Sequence, residues 1–262
     1  MTQATEVLIP STPDEAARLF GDGAGVTVIG GGTIVLPDMT GGTLQPAKAL
    51  LLSRAGLAGV SRNGGTVTIG AATPVADLVG LPAPLGPCAA NIADGEIRSQ
   101  ATLGGNLCAG AGHDAPRGDL QGALLALDAV ARSTGQDGES SQPLEEFLAR
   151  HDARLLLDVS FDEPAAGAFA ALDYPHTHEY TVLAVSGARG ADGTVRLAAT
   201  GLAGHGWRLR SAEAAAGDPE AAGAAAVADV RLGDDALASA WYRGQTLPVL
   251  VRRVLTKLEE AT

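Results

Sequence analysis

The stretch Ala101–Asp119, ATLGGNLCAGAGHDAPRGD, constrains this chain more than any other, because it packs a hydroxyl, a glycine pair, a side-chain amide and a trailing carboxylate into one run. Thr102 and Asn106 bracket Gly104 and Gly105, and glycine lets a backbone take positive φ and turn its N–H groups toward one point. Such a concavity binds anions without a cationic side chain. The run LQGALLALDA follows at 120–129 with leucines at helical spacing, so an anion held by the loop would also lie near a helix N-terminus. The plainer reading of the loop alone is a tight turn between strand and helix.

A second glycine loop shifts that balance. VTVIGGG at 26–32 reads as a buried β-run ending in three glycines, followed by TIVLPDM. Two phosphate loops in one chain imply a diphosphate ligand, and a Cβ branch at Gly31 or Gly104 is expected to fill the space that ligand needs. The Rossmann fingerprint fails: Gly30 and Gly32 fit, but Val35 stands where the third glycine belongs, and no acidic residue follows at the usual distance on a second strand. There is no GK[ST] for a P-loop either. The expectation is a dinucleotide held in another way.

IGGGTIVLPDM near the N-terminus together with IRSQATLGGNL in the middle resembles the FAD-binding medium subunit of the molybdenum hydroxylases, the group containing carbon monoxide dehydrogenase, xanthine dehydrogenase and aldehyde oxidoreductases. IGAATPVADL at 69–78 and WYRGQTLPVLVRRVL at 241–255 extend the resemblance over nearly the whole chain. It implies an α+β fold: a two-lobed FAD-binding domain of the vanillyl-alcohol-oxidase-like (PCMH-type) fold over 1–162, with lobes at about 1–58 and 59–162. A smaller C-terminal α+β domain of the medium-subunit type would follow over 163–262.

The resemblance also implies the cofactor, FAD, and its residues. Gly30, Gly31, Gly32, Thr33, Ile34 and Val35 match the first loop, which in the family wraps the FAD diphosphate; Thr102, Leu103, Gly104, Gly105 and Asn106 match the second. Asp119 matches an aspartate that closes the site, and Tyr180 falls where the family has a residue near the flavin, a core tyrosine being the alternative. His113, inside the organising loop, is a candidate for cofactor phosphate or ribose. The partners implied are a molybdenum-cofactor-binding large subunit and a small subunit with two [2Fe–2S] clusters, as a heterotrimer or a dimer of heterotrimers. Electrons would pass from those clusters through FAD to NAD, quinone, oxygen or another acceptor. DYPHTHEY at 173–180 lacks the lysine and arginine common in relatives, which argues against NAD. The stretch between Asn106 and Asp119 is about four residues longer than the usual loop, and Ile34 replaces a polar residue of many relatives.

Composition narrows the alternatives. With 18 basic against 30 acidic residues the formal net charge is −12, and no basic run exceeds Arg252–Arg253, so nucleic-acid binding is not expected. No apolar run reaches membrane-spanning length, and MTQATEVLIP lacks the charged start and apolar core of a signal peptide, which points to the cytoplasm. Cys88 and Cys108 are too few for an iron–sulfur or structural zinc site, and two reduced thiols are expected. The histidines at 113, 151, 176, 178 and 205 form no metal-ligand pattern; His176 and His178 are the only close pair. No metal site and no catalytic acid–base set is expected, which suits a flavin, whose ring system performs the electron chemistry. A stand-alone flavin oxidase or reductase of the same fold is the alternative function, and a flavin-free assembly module a third.

Local patterns give the element expectations. Thr12 should cap a helix over TPDEAARLF, and Asn63–Gly65 should turn a hairpin into a strand at 66–69. Thr73–Leu78 and 120–129 read as helices, 132–142 as a hairpin or exposed loop, PLEEFLAR as a helical turn, and Leu155–Phe161 as a strand. Asp162–Phe169 reads as an inter-domain connection. FAALDY, YTVLAVSGA and VRLAATGLA suggest a three-stranded antiparallel sheet, although Tyr180–Ala188 has little alternation and reads equally as helix. The Ala-rich tract 211–230 should be helix broken at Gly217–Pro219, and Leu247–Glu260 an amphipathic helix with Arg252 solvated or ion-paired.

Overall fold

The computed structural model of the protein describes residues 5–109, 118–149, 153–172 and 181–261. β1 (Glu6–Leu8) leads into α1 (Pro13–Phe20). The helix starts where expected: the Thr12 hydroxyl accepts the Glu15 N–H at 3.1 Å, proline occupies the first turn, and Asp14 and Glu15 sit at its electropositive end. β2 (Val26–Ile29), α2 (Val35–Thr40) and β3 (Lys48–Leu51) follow. The three strands pair in the order β1-β3-β2, all parallel. Ala16 and Phe20 of α1 pack on Leu50 in a core shared with Leu52, Ala55, Leu57, Leu155 and Leu157.

β4 (Val60–Asn63) and β5 (Thr66–Gly70) form the expected hairpin. Gly64 and Gly65 close it at φ 59° and 91°, the conformation a two-residue turn needs to match the twist of its strands. The helix expected at Thr73–Leu78 is a 3₁₀ turn over Val75–Leu78. α3 (Leu85–Ala90), α4 (Gly95–Gln100), α5 (Leu103–Cys108) and α6 (Asp119–Ala126) come next. Every residue of α6 is buried. β6 (Val130–Gly135) and β7 (Gly138–Pro143) form a hairpin, α7 (Leu144–Leu148) is short, and β8 (Leu155–Asp162) lies between β5 and β6 in a five-stranded sheet of order β4-β5-β8-β6-β7.

β9 (Ala166–Leu172), β10 (Leu183–Arg189), β11 (Val195–Thr200) and the two-residue β12 (Trp207–Arg208) make an antiparallel sheet in that order. The expected three strands are present, with a short fourth at the edge. β10 pairs along its length with β9 and β11, and all but its last residue are buried. A strand covered on both faces has no alternation to read. The connection expected at 162–169 is already strand from Ala166, its alanines and glycine carrying little β propensity.

α8 (Arg210–Ala214) and α9 (Pro219–Ala226) divide the alanine tract at Gly217–Pro219 as expected, with Asp218 capping α9 through the Glu220 and Ala221 N–H groups at 3.0 and 3.2 Å. α10 (Ala240–Glu260) begins earlier than its apolar pattern, capped by Ser239. Its Leu247, Leu250, Val251, Val254, Leu255 and Leu258 join Leu183, Val185, Leu197 and Ala199 in one core, the i, i+3, i+4, i+7 arrangement of a helix face on a sheet. Arg252 pairs with Glu220.

The chain forms two compact units. The first gathers Met1–Asp77, Gly95–Cys108 and Val130–Ser160; the second gathers Leu78–Asp94, Ala109–Ala129 and Phe161–Thr262.

Candidate functional site

Both glycine loops belong to the first unit, and the first begins where β2 ends. Gly32 takes φ 75°, which lets the chain reverse into α2, started by Leu36 N–H to Gly32 O at 3.0 Å and Asp38 N–H to Ile34 O at 3.2 Å. Between these, the backbone N–H groups of Gly31, Gly32, Thr33 and Ile34 have no hydrogen-bond acceptor among the described residues. Gly32 is buried, and Gly30, Gly31, Thr33, Ile34 and Val35 are half-buried. Buried amides are almost always paired in folded proteins, with protein groups or ordered water. Four successive donors without an acceptor among the described residues form a run of amides that suits an anion.

The second loop is built differently from its expectation. Gly104 and Gly105 lie inside α5, and neither has positive φ. Its leading amides are already used: Leu103 N–H donates to Thr73 O at 2.9 Å, Gly104 N–H to Ala71 O at 2.8 Å, Gly105 N–H to the Thr102 hydroxyl at 3.1 Å, and Asn106 N–H to Thr102 O at 2.9 Å. The glycine pair thus offers no amide nest. Its glycines permit close approach instead: a Cβ on Gly104 would stand 3.0 Å from Ala71 O, and one on Gly105 2.9 Å from the Thr102 hydroxyl oxygen.

The two loops touch. A Cβ on Gly30 would overlap the Thr102 hydroxyl, and one on Gly31 would overlap the carbonyl of Gln100. The first loop therefore lies directly on Gln100–Thr102, and two of its three glycines serve that contact rather than leaving room for a ligand. Beneath sits the stretch 71–75 of the IGAATPVADL motif: Val75 N–H reaches Ala101 O at 2.8 Å, and Pro74 bridges to Thr102. Thr102, Leu103 and Asn106 are buried, so their side chains are fixed by packing.

Asp119 stands in the first turn of α6, in the second unit. Its backbone carbonyl accepts the Cys88 thiol at 3.3 Å. Burial pushes its carboxyl up to about 7, opposed by a hydrogen bond from Thr181, whose hydroxyl oxygen accepts the Asn91 side-chain N–H at 2.9 Å. Burial, and then the Asp119 charge, raise the Cys88 thiol. Cys88 and Cys108 are not joined in a disulfide. His113 and Tyr180 lie outside the described residues, as do His151, His176 and His178. His205 stacks on Trp207 with ring centroids 5.4 Å apart. No group of three or more His, Cys, Asp or Glu that could hold a metal occurs among the described residues, and no helix among them is long and apolar enough to cross a membrane.

Reading the sequence for ligand-binding residues passes over Ala71, Thr73 and Gln100, whose backbone and side-chain atoms hold the loops together. Ala71 and Thr73 lie in the IGAATPVADL stretch and Gln100 in IRSQATLGGNL, and those two matches are the available signals.

Over residues 3–160 the sequence matches the family described as the FAD binding domain in molybdopterin dehydrogenase. A curated relative, the carbon monoxide dehydrogenase medium chain of Hydrogenophaga pseudoflava, is 30% identical over 147 residues, which cover 53% of this chain and 50% of the relative. In that match the chain spans about half the length of the curated relative. Among solved structures, a carbon monoxide dehydrogenase from Hydrogenophaga pseudoflava that lacks the Mo-pyranopterin moiety of the molybdenum cofactor shares the fold at a TM-score of 0.87 and 25% identity, covering 100% of this chain and 99% of that one. Quinoline 2-oxidoreductase from Pseudomonas putida 86 does so at 0.82 and 19%, covering 99% and 98%.

Proposed function

This chain belongs to the family of FAD-binding domains of molybdopterin dehydrogenases, and on that footing we propose that it is the flavin-carrying subunit of a molybdenum hydroxylase. It is an oxidoreductase chain that receives electrons from iron–sulfur clusters on a small partner and passes them through FAD to an external acceptor. The partners are that small subunit, with two [2Fe–2S] clusters, and a molybdenum-cofactor-binding large subunit, in a cytoplasmic heterotrimer or dimer of heterotrimers. The name of the curated relative, a medium chain, supports a place among several subunits, and cysteines that form no disulfide suit a reducing compartment. The flavin region is assigned to 1–162 and a second domain to 163–262; the family match over residues 3–160 supports the first span, although 78–94 and 109–129 belong to the same compact unit as 161–262.

The observation that carries the reading is the row of unpaired amides at Gly31, Gly32, Thr33 and Ile34. They fit the FAD diphosphate, because they are backbone donors without acceptors among the described residues, and such a run holds an anion without a cationic side chain. Gly30–Val35 hold the diphosphate, and Thr102, Leu103, Gly104, Gly105 and Asn106 hold the first loop in place from below and complete the site. Asp119, His113 and Tyr180 are assigned to the cofactor by family resemblance. Bound FAD supplies reversible electron acceptance, so the chain needs to position and insulate the group rather than move protons itself.

If the diphosphate carries the binding, FAD must bind far better than riboflavin, which has the same ring system and no phosphate. Hydrogen bonds to charged groups contribute about 1.5–3 kcal/mol each, so the expected preference in an equilibrium titration of the flavin-free chain is about 100-fold or more. Equal affinity for the two would overturn the assignment of the amide row.

A further inference from the structure

We propose that Thr73 is a positioning residue of the flavin site, fixing the second loop, and through it the first, by a two-way hydrogen bond to Gly59. The inference rests on the assignment of the two loops to FAD. Thr73 is fully buried. Its hydroxyl accepts the Gly59 N–H at 2.9 Å and donates to Gly59 O at 3.1 Å, using both of its capacities on one peptide neighbour. Its own N–H goes to Gly70 O at 3.0 Å, and its carbonyl receives the Leu103 N–H at 2.9 Å. Every polar atom of the residue is thus assigned, and the last assignment sets the start of α5.

The neighbours make the placement tight. Ala72 N–H binds Leu57 O, Ala71 N–H binds Leu157 O, and Ala71 O takes the Gly104 N–H, at 2.9, 2.9 and 2.8 Å. A Cβ on Gly70 would overlap the Leu57 carbonyl. The stretch 70–73 is therefore threaded between 57–59 on one side and the α5 start on the other, and Thr73 is the one side chain in it with a hydrogen bond to that first wall. Releasing the Gly59 clamp lets the Thr73 carbonyl drift, and the Leu103 amide, Thr102 and the Gly30–Gly31 contact drift with it. The amides of the first loop then lose the support on which they rest.

The test uses the full chain, freed of flavin and titrated with FAD. Thr73→Val keeps the shape and removes both hydrogen bonds; it should weaken FAD binding by about tenfold, the effect of a buried hydrogen bond or two, and speed hydrogen exchange at the Leu103 and Gly104 amides. Thr73→Ser keeps the hydroxyl and should restore both. A Thr73→Val chain that melts earlier yet binds FAD as wild type does, or a Thr73→Ser chain as weak as Thr73→Val, overturns the proposal. Should Thr73→Val fail to fold, Gly59→Ala carries the same test from the other side. Gly59 has φ +131° and nothing within 4 Å of an added Cβ, so the substitution strains the clamp without a clash, and unchanged FAD affinity there counts against the clamp. Wild-type chain that takes up no FAD defeats the loop assignment itself, which is a different result from wild-type binding with indifferent variants.

Discussion

At Gly31 a side chain has nowhere to go, because its first carbon would meet the Gln100 carbonyl and stand 3.0 Å from Ala101 Cα. Backbone cannot swing aside as a side-chain end can, so Gly31→Ala should separate the two loops. The expected cost is roughly 1–3 kcal/mol of stability, with FAD affinity lowered at least tenfold, read by denaturation and flavin titration. Gly95→Ala is the control: nothing lies within 4 Å of its Cβ, and its effect should stay within about 0.5 kcal/mol. The glycines of both loops are legible in the sequence, but their reason is not. A positive φ and a close approach demand the same residue, and among Gly30, Gly31, Gly32, Gly104 and Gly105 only Gly32 has positive φ. Asp119 makes the second prediction at this scale. Its folded carboxyl titrates at about 7, above the usual value of 3.8, so the native state binds the proton more tightly than the unfolded chain. The stabilisation is complete below about pH 4 and is lost as pH rises to 7, by roughly 1.4 kcal/mol per pH unit at most. Asp119→Asn, which mimics the protonated form, should flatten the fall in stability between pH 5 and 7.5 in the flavin-free chain. An unchanged slope would place the titration elsewhere.

Elements set where these residues stand, and α10 shows how an element can hide from its own pattern. The apolar spacing begins at Leu247, yet the helix begins at Ala240, because the buried position one turn earlier holds Arg243. That guanidinium is 1% exposed and faces Asp235 at 5%, the two 2.7 Å apart, and it also donates to Gly233 O and Ala238 O. Burial raises the Asp235 carboxyl, but the Arg243 hydrogen bond and the Ala238 and Leu237 amides bring it below the usual range. No hydropathy pattern announces a buried arginine whose partner sits in a loop eight residues before it. Arg243→Met leaves Asp235 buried without a counter-charge and should cost about 3–5 kcal/mol in urea denaturation; a loss under 1 kcal/mol would show that water replaces the pair. The strands with hairpin turns and the capped helices α1 and α9 were readable because a single local feature fixed each. β10 reads equally as strand or helix because burial on both faces leaves no alternation, and the start of β9 at Ala166 is hidden because its alanines and glycine carry little β propensity.

For the whole molecule, the order of residues along the chain is a poor guide to what assembles with what. Thr102 and Asp119 lie in one run of sequence that looks like one loop, yet they belong to different compact units, the chain leaving the first at Cys108 and returning at Val130. Gly31 and Gln100, far apart in sequence, are in contact. Matching both glycine stretches to one family was sufficient to read the fold and the cofactor, because those follow from the pair. The hydrogen-bond scaffold of 57–59 and 70–75 was out of reach, because backbone acceptors such as Ala71 O and Thr73 O leave no trace in residue type. The central claim is that this chain binds FAD through the unpaired amides of its first loop. The most direct test is the visible spectrum of the purified full chain, with identification of whatever cofactor acid releases and, if it is colourless, titration with added FAD. The account predicts one FAD per chain, carried or taken up; a folded chain that neither carries nor takes up FAD would contradict it.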